Sequence, residues 1–230
     1  MKIFHRTVAC LAVLTLSLSA MAASNDNIVA GKNGIKIMTT SPAKTGTPYI
    51  DDGSSSLVTL YSNLAFGYPK AIYWCCYGGL LAGAQSSYGQ KNGPVWQAAG
   101  FTPAANMTVT NLKLGIAWQS GTYNDVIVSI TTDNNGIPGT VLSKWKETNL
   151  PVFGTCCTVT NHKVPKGGVA VTAGTPYWVV ISTEANSDFQ GSWDFDIKDE
   201  IDTIPDAYNY KGVWYPFPAS YNFSFGVYGK

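Results

Sequence analysis

Beyond residue 57, apolar and polar side chains alternate with a period of two over much of the chain. Leu112, Leu114, Ile116 and Trp118 alternate with Asn111, Lys113, Gly115 and Ala117. Val126, Val128 and Ile130 stand against Asp125, Ser129 and Thr131. Trp193, Phe195 and Ile197 stand against Asp194, Asp196 and Lys198, and Phe223, Phe225 and Val227 against Asn222, Ser224 and Gly226. Successive strand side chains point to opposite faces, so each run predicts a strand with one apolar and one wet face. Residues 176–181 (Pro-Tyr-Trp-Val-Val-Ile) are unbroken and predict a central strand buried on both sides.

Further strands are expected at 57–62, 95–101, 140–146, 157–164 and 207–215, separated by turn clusters such as Asp133-Asn134-Asn135-Gly136 and Pro165-Lys166-Gly167-Gly168. Trp74-Cys75-Cys76-Tyr77-Gly78-Gly79 reads as a loop, and residues 23–56 as a polar N-terminal arm or linker with a short strand at 35–38. After the N-terminal stretch, no segment of helical length carries apolar spacing of three and four with caps. Many short strands without intervening helices predict an all-β fold, an antiparallel β-sandwich of jelly-roll-like form, as one domain over 57–230.

The first 22 residues read as an export signal. Lys2 and Arg6 supply a basic start, residues 8–18 an apolar core, and Ala20-Met21-Ala22 the small residues of a cleavage site. The apolar stretch falls short of the roughly 20 residues of a membrane span. The expected address is therefore secreted, periplasmic or extracellular, with no transmembrane segment after processing. Losing Lys2 and Arg6 from the 15 basic residues leaves 13, all lysine, against 14 acidic ones. Without arginine or a basic excess there is no electrostatic footprint for nucleic acid, and that partner class drops out.

Four of the five cysteines lie beyond the signal, as the adjacent pairs Cys75-Cys76 and Cys156-Cys157. In an exported chain an even count implies disulfides. A bridge between neighbours is strained, because their Cα atoms are only about 3.8 Å apart and ordinary disulfides span 4.4 Å or more. Geometry therefore favours bridges between the pairs over two vicinal rings, with both connectivities open. Adjacent side chains in a strand point apart, so at least one pair is expected in a loop.

Several stretches together resemble the choice-of-anchor R family of bacterial exported domains. They are Gln97-Ala98-Ala99-Gly100-Phe101-Thr102-Pro103, Thr108-Val109-Thr110-Asn111-Leu112, the 133–139 turn (Asp-Asn-Asn-Gly-Ile-Pro-Gly), residues 150–157 (Leu-Pro-Val-Phe-Gly-Thr-Cys-Cys) and Ala173-Gly174-Thr175-Pro176-Tyr177-Trp178. The resemblance implies an extracellular β-sandwich module and carries no activity with it. Members often bear a C-terminal sorting tail, whereas residues 225–230 here read as a last strand.

No catalytic constellation is evident. His162 is the one histidine beyond the signal and reads as an exposed strand histidine without a nucleophile motif. Asp194 and Asp196 share the expected solvent face of one strand, roughly 7 Å apart. Like environments give an acid and a base nothing to separate their pKa values, so this pair is not expected to cleave glycosides. Oxygen ligands for calcium could come from Asp199, Glu200 and Asp202, although without fixed spacing a solvated acidic loop is the plainer reading and no cofactor is expected. Aromatics thicken toward the C-terminus. Trp118, Trp178 and Trp193 fall on apolar faces and are expected in the core, while Trp74, Trp214 and Tyr215 are candidates for stacking on sugar rings.

The leading expectation is a non-enzymatic exported module for extracellular or cell-surface interaction, with a glycan or matrix polymer as partner. A polysaccharide hydrolase and a self-assembling envelope component are the alternatives. Non-reducing peptide mapping of the exported protein is expected to find Cys75, Cys76, Cys156 and Cys157 all oxidised. Free thiols at those positions would contradict the oxidising address.

Overall fold

Alternation on this scale gives each strand a face to hide, and two sheets packed face to face hide both. The computed structural model describes residues 28–30, 36–39, 57–64, 73–155, 159–196, 204–217 and 222–230, with backbone alone at 28–30, 36–39 and 74–76. The strands are β1 (Ile28–Ala30), β2 (Lys36–Thr39), β3 (Val58–Ser62), β4 (Tyr73–Ala82), β5 (Val95–Phe101), β6 (Met107–Leu114), β7 (Ile116–Ser120) and β8 (Asp125–Asp133). They continue with β9 (Pro138–Thr148), β10 (Thr160–Lys163), β11 (Val169–Val171), β12 (Tyr177–Ser182), β13 (Gln190–Asp196), β14 (Asp206–Tyr210), β15 (Val213–Phe217) and β16 (Phe225–Gly229). One short helix, α1 (Gly89–Asn92), precedes β5. The protein is an all-β antiparallel sandwich of jelly-roll-like form, about 60% strand, with one sheet curled into a half-barrel. Among the described residues no helix is long and apolar enough to cross a membrane.

The larger sheet runs β1-β2-β4-β5-β12-β8-β9, with β13 on β4, β7 on β13, and the β14–β15 hairpin on β5. The smaller runs β10-β6-β16-β3, with β11 also on β6. Between them lies the main core, where Leu81, Phe101, Leu112, Ile130, Val179, Trp193 and Phe225 are almost wholly buried. Trp193 stacks on Phe223 at 4.8 Å and donates its indole N–H to the Ser224 carbonyl at 2.9 Å. A buried indole thereby keeps a hydrogen-bond partner while filling the centre of the core.

Three expectations are corrected by this arrangement. Residues 73–82 form a strand, not a loop at 74–79. Gly78 and Gly79 signal a turn in sequence, yet here they let neighbours approach. A Cβ at Gly78 would stand 2.3 Å from Ser192 Oγ and from the Trp193 carbonyl, and one at Gly79 2.6 Å from the Phe223 ring. The single strand expected across 112–118 divides at Gly115, where the chain passes from the small sheet (β6) into the large one (β7). Strands that switch sheets form the corners of a sandwich. The corner is tight: a Cβ on Gly115 would meet Ser224 Oγ at 2.1 Å. The run expected as one strand over 207–215 is a hairpin, because Lys211 and Gly212 both adopt positive φ, 53° and 85°. Two such residues make the turn whose twist suits paired strands. The 95–101 strand is observed as β5 with those bounds. The N-terminal arm contributes β1 and β2, the latter paired to β4.

Gly78→Ala is expected to destabilise the fold by about 1–3 kcal/mol through overpacking against β13. Urea unfolding monitored by tryptophan fluorescence measures it, and an unchanged midpoint would contradict the close approach.

Candidate functional site

Strand β5 carries two unlike faces. Gln97, Ala99 and Phe101 turn to the space between the sheets, while Trp96, Ala98 and Gly100 turn outward. The outward face sets the large Trp96 indole beside the small Ala98, while Gly100 is covered by Pro205, whose Cγ would stand 2.5 Å from a Cβ there, so the hollow lies toward Trp96. Pairing extends the hollow across six strands, because β5 lies between β14 and β12, and β8 and β9 follow. Asn209 of β14 is in register with Trp96 on one side and with Trp214 of β15 on the other. The two indoles therefore stand two strands apart, roughly 10 Å between backbones. A second row runs Ala207, Ala98, Val180, Ser129, Lys144 from β14 to β9.

The result is an open groove of ≈ 490 Å³, with Trp96 and Trp214 on one side and Ser129, Thr131, Ser182 and Thr183 supplying hydroxyls. Beside it, outside the main core, lies a small apolar cluster of Ala98, Trp178, Val180 and Ala207 with Trp214 half-buried against it, and Val180 and Trp214 carry this cluster into the groove lining. Trp178 is fully buried there and donates its N–H to Asp133 Oδ1 at 2.8 Å. The Asp133 carboxylate also accepts the Gly136 N–H at 3.1 Å, so the β8–β9 turn holds the indole beside the groove. The Trp96 N–H donates to Thr183 Oγ1 at 3.1 Å, which fixes that ring too. At one end Lys146 pairs with Glu184 at 3.0 Å and Asp125 at 3.4 Å. The Glu184 hydrogen bond outweighs desolvation and, together with the Asp125 charge, holds the exposed Lys146 ammonium above the usual amine value.

The sequence candidates fare unevenly. Trp214 lines the groove, but Tyr215 is on the opposite face of β15, 41% exposed and stacked on Tyr208 at 5.2 Å. Trp74, Cys75 and Cys76 fall in β4, and their side chains lie outside the description. Cys156, Cys157, Asp199, Glu200 and Asp202 lie outside the described residues. Trp96 and Lys144 were not singled out. The Trp-x-Ala-x-Gly face of β5 is the signal that could have found the first.

Asp194 and Asp196 are corrected from solvent-facing to buried, 2% and 1% exposed. Alternation reports that a face is polar, not that water reaches it. On this face of β13 the polar groups are met by other protein groups. Ser192 Oγ donates to Asp194 Oδ1 at 2.6 Å, and Asn63 Nδ2 reaches Asp196 Oδ2 at 3.5 Å. Gln190 Oε1 accepts from Ser87 Oγ at 3.1 Å, and its Nε2 donates to Gln119 at 3.1 Å. Burial pushes the Asp194 carboxyl well above the usual carboxylate range, only partly opposed by the Ser192 hydroxyl. Asp188 goes the other way: burial opposes it, but the Thr122 and Tyr123 backbone N–H groups, at 2.7 and 3.0 Å, hold it below its ordinary value.

His162 is corrected as well, from exposed to 3% exposed. Its Nε2 lies 2.5 Å from Thr160 Oγ1 and its Nδ1 2.9 Å from Glu147 Oε2, while the Trp145 indole donates to Glu147 Oε1 at 2.5 Å. Hydroxyl, imidazole and carboxylate follow the order of an activated nucleophile. Here, however, the imidazole is sealed between β9 of the large sheet and β10 of the small one, and its Nδ1 approach to Glu147 is a close contact without hydrogen-bond geometry. Thr160 Oγ1 is also 3.2 Å from the Leu114 carbonyl of the adjacent strand.

Fold and site together define an all-β sandwich with an open, aromatic-walled groove on the outer face of its larger sheet. No family model, curated protein or solved structure matches the chain.

Asp194 gives a pH prediction. Its folded pKa is raised, so above about pH 4 the unfolded chain has released a proton that the folded chain retains. Stability from this group is full below that pH and falls as pH rises toward the folded pKa, by up to about 1.4 kcal/mol per unit. Asp194→Asn is expected to flatten the decline in urea-unfolding free energy measured from pH 4 to 8. Parallel pH profiles for the two proteins would contradict it.

Proposed function

We propose that the protein is an exported, non-enzymatic β-sandwich module that binds an extracellular glycan in the groove between Trp96 and Trp214. The observation that carries this reading is the pairing of two held indoles with a row of hydroxyls in one open hollow. Indole faces stack on the apolar faces of sugar rings, and nearby hydroxyls exchange hydrogen bonds with the ring substituents. The rings are placed before any ligand arrives, Trp96 by Thr183 and Trp214 by the Ala98–Trp178–Val180–Ala207 cluster, so little ordering entropy is lost on binding.

A binding role also fits the groove's charges. Of its described lining residues Glu184 carries a carboxylate, and Lys146 holds it. Hydrolysis by paired carboxylates would need a second one across the hollow. The export signal and the resemblance to choice-of-anchor R domains are in keeping with an extracellular partner. Calcium binding at Asp199, Glu200 and Asp202, which lie outside the described residues, is a separate proposal.

A glycan-array screen of the exported protein, with and without calcium, tests the reading. At least one glycan class is expected to bind, and Trp96→Ala to weaken it about tenfold or more, as removal of a central aromatic anchor does. Silence across the array from folded protein would overturn the assignment.

A further inference from the structure

The groove's charges are not evenly matched. Glu184 is compensated by Lys146 at 3.0 Å, and Asp125 shares the same ammonium at 3.4 Å. Lys144, the other charged residue lining the groove, makes no ion pair among the described residues. It is exposed, and it stands in register with Ser129 on the neighbouring strand, so an ammonium and a hydroxyl border the same part of the hollow. An uncompensated cation beside a hydroxyl, in a groove otherwise lined by two indoles, further hydroxyls, the aliphatic Ile127, Pro138, Val141 and Val180 and the Lys146-paired Glu184, suits a carboxylate carried on a sugar ring.

Placement adds length to this chemistry. Trp214 and Lys144 sit on the outermost strands of the six, with four strands between them. Five steps between neighbouring strands span roughly 24 Å. A single sugar bridging that distance is excluded, whereas an oligosaccharide lying across the strands reaches both ends.

We propose that the occupant of the groove is an acidic polysaccharide of the uronic-acid class, lying across the strands with its rings on Trp214 and Trp96 and a carboxylate on Lys144. This rests on the glycan reading above and specifies its ligand. The indoles supply affinity common to many sugars. Lys144 supplies the preference for charge, and because it is exposed that preference is sensitive to salt.

The test compares hexagalacturonate with its methyl ester, which keeps the same rings and linkages and lacks the charge. Affinities for the exported protein are measured by calorimetry at low and high salt. The free acid is expected to bind about tenfold tighter than the ester at low salt, with the gap narrowing at high salt. Galacturonic acid monomer is expected to bind at least about a hundredfold more weakly than the hexamer. Lys144→Gln is expected to bring acid and ester within about twofold of each other, with its circular dichroism spectrum unchanged.

Equal affinity of wild type for acid and ester, or a preference that survives Lys144→Gln, would overturn the charge assignment. If Trp96→Ala still weakened both oligomers, the glycan reading would stand without it. Silence toward both hexamers from a protein that binds neutral glycans on the array overturns the acidic class alone. Silence toward every glycan overturns both.

Discussion

Strand β13 is buried on both faces, and the packing around it is set by that. Its odd-numbered residues, Trp193 and Phe195, enter the core between the sheets, where they meet Phe223 and Phe225. Its even-numbered residues, Gln190, Ser192, Asp194 and Asp196, are polar and just as buried. A buried polar group costs about as much as a lost hydrogen bond unless it is matched, so this strand needs partners arranged with little tolerance. The neighbours come close enough to serve: Gly78 and Gly79 of β4 have no room for a side chain, and the Asp194 N–H donates to the Gly115 carbonyl at 2.8 Å. Asn63 completes the match across the sandwich, donating to the Phe223 carbonyl at 2.7 Å and accepting the Phe225 N–H at 2.8 Å.

The outer face of the large sheet follows a different rule. There the small Ala98 and Ala207 pack with Trp178 and Val180 in a buried cluster beside the groove, and the surrounding indoles are tied down individually. Trp178 is held by Asp133 and Trp96 by Thr183. Turn and groove are therefore one unit. The Asp133 carboxylate that closes the β8–β9 turn also locks the Trp178 indole in the cluster that packs against Trp214, so a residue that looks like turn chemistry in isolation also steadies a groove wall. On the inner side of β9, Trp145 donates to Glu147, whose carboxylate lies against the buried His162 of β10 where the two sheets meet.

Period-two alternation by itself determined the all-β class, most strand positions and the apolar face of each strand, because the geometry of a strand makes those faces a direct function of sequence. It also marked Trp193 as buried, while the unbroken 176–181 run marked Trp178 and the Asp-Asn-Asn-Gly composition marked 133–136 as a turn. It did not determine which polar faces meet water. Asp194, Asp196 and His162 alternate just as solvent-facing residues do, and only the approach of a second layer decides that they are enclosed. Nor did it decide the meaning of glycine, which serves a turn at Gly212 but a close contact at Gly78 and a change of sheet at Gly115. The groove belongs wholly to the tertiary structure. Trp96, Trp214 and Lys144 come from three strands far apart in the chain, and Trp214 and Tyr215, adjacent in sequence, end on opposite faces. What joins the first three is the lateral order and register of six strands, a long-range property that no local pattern encodes.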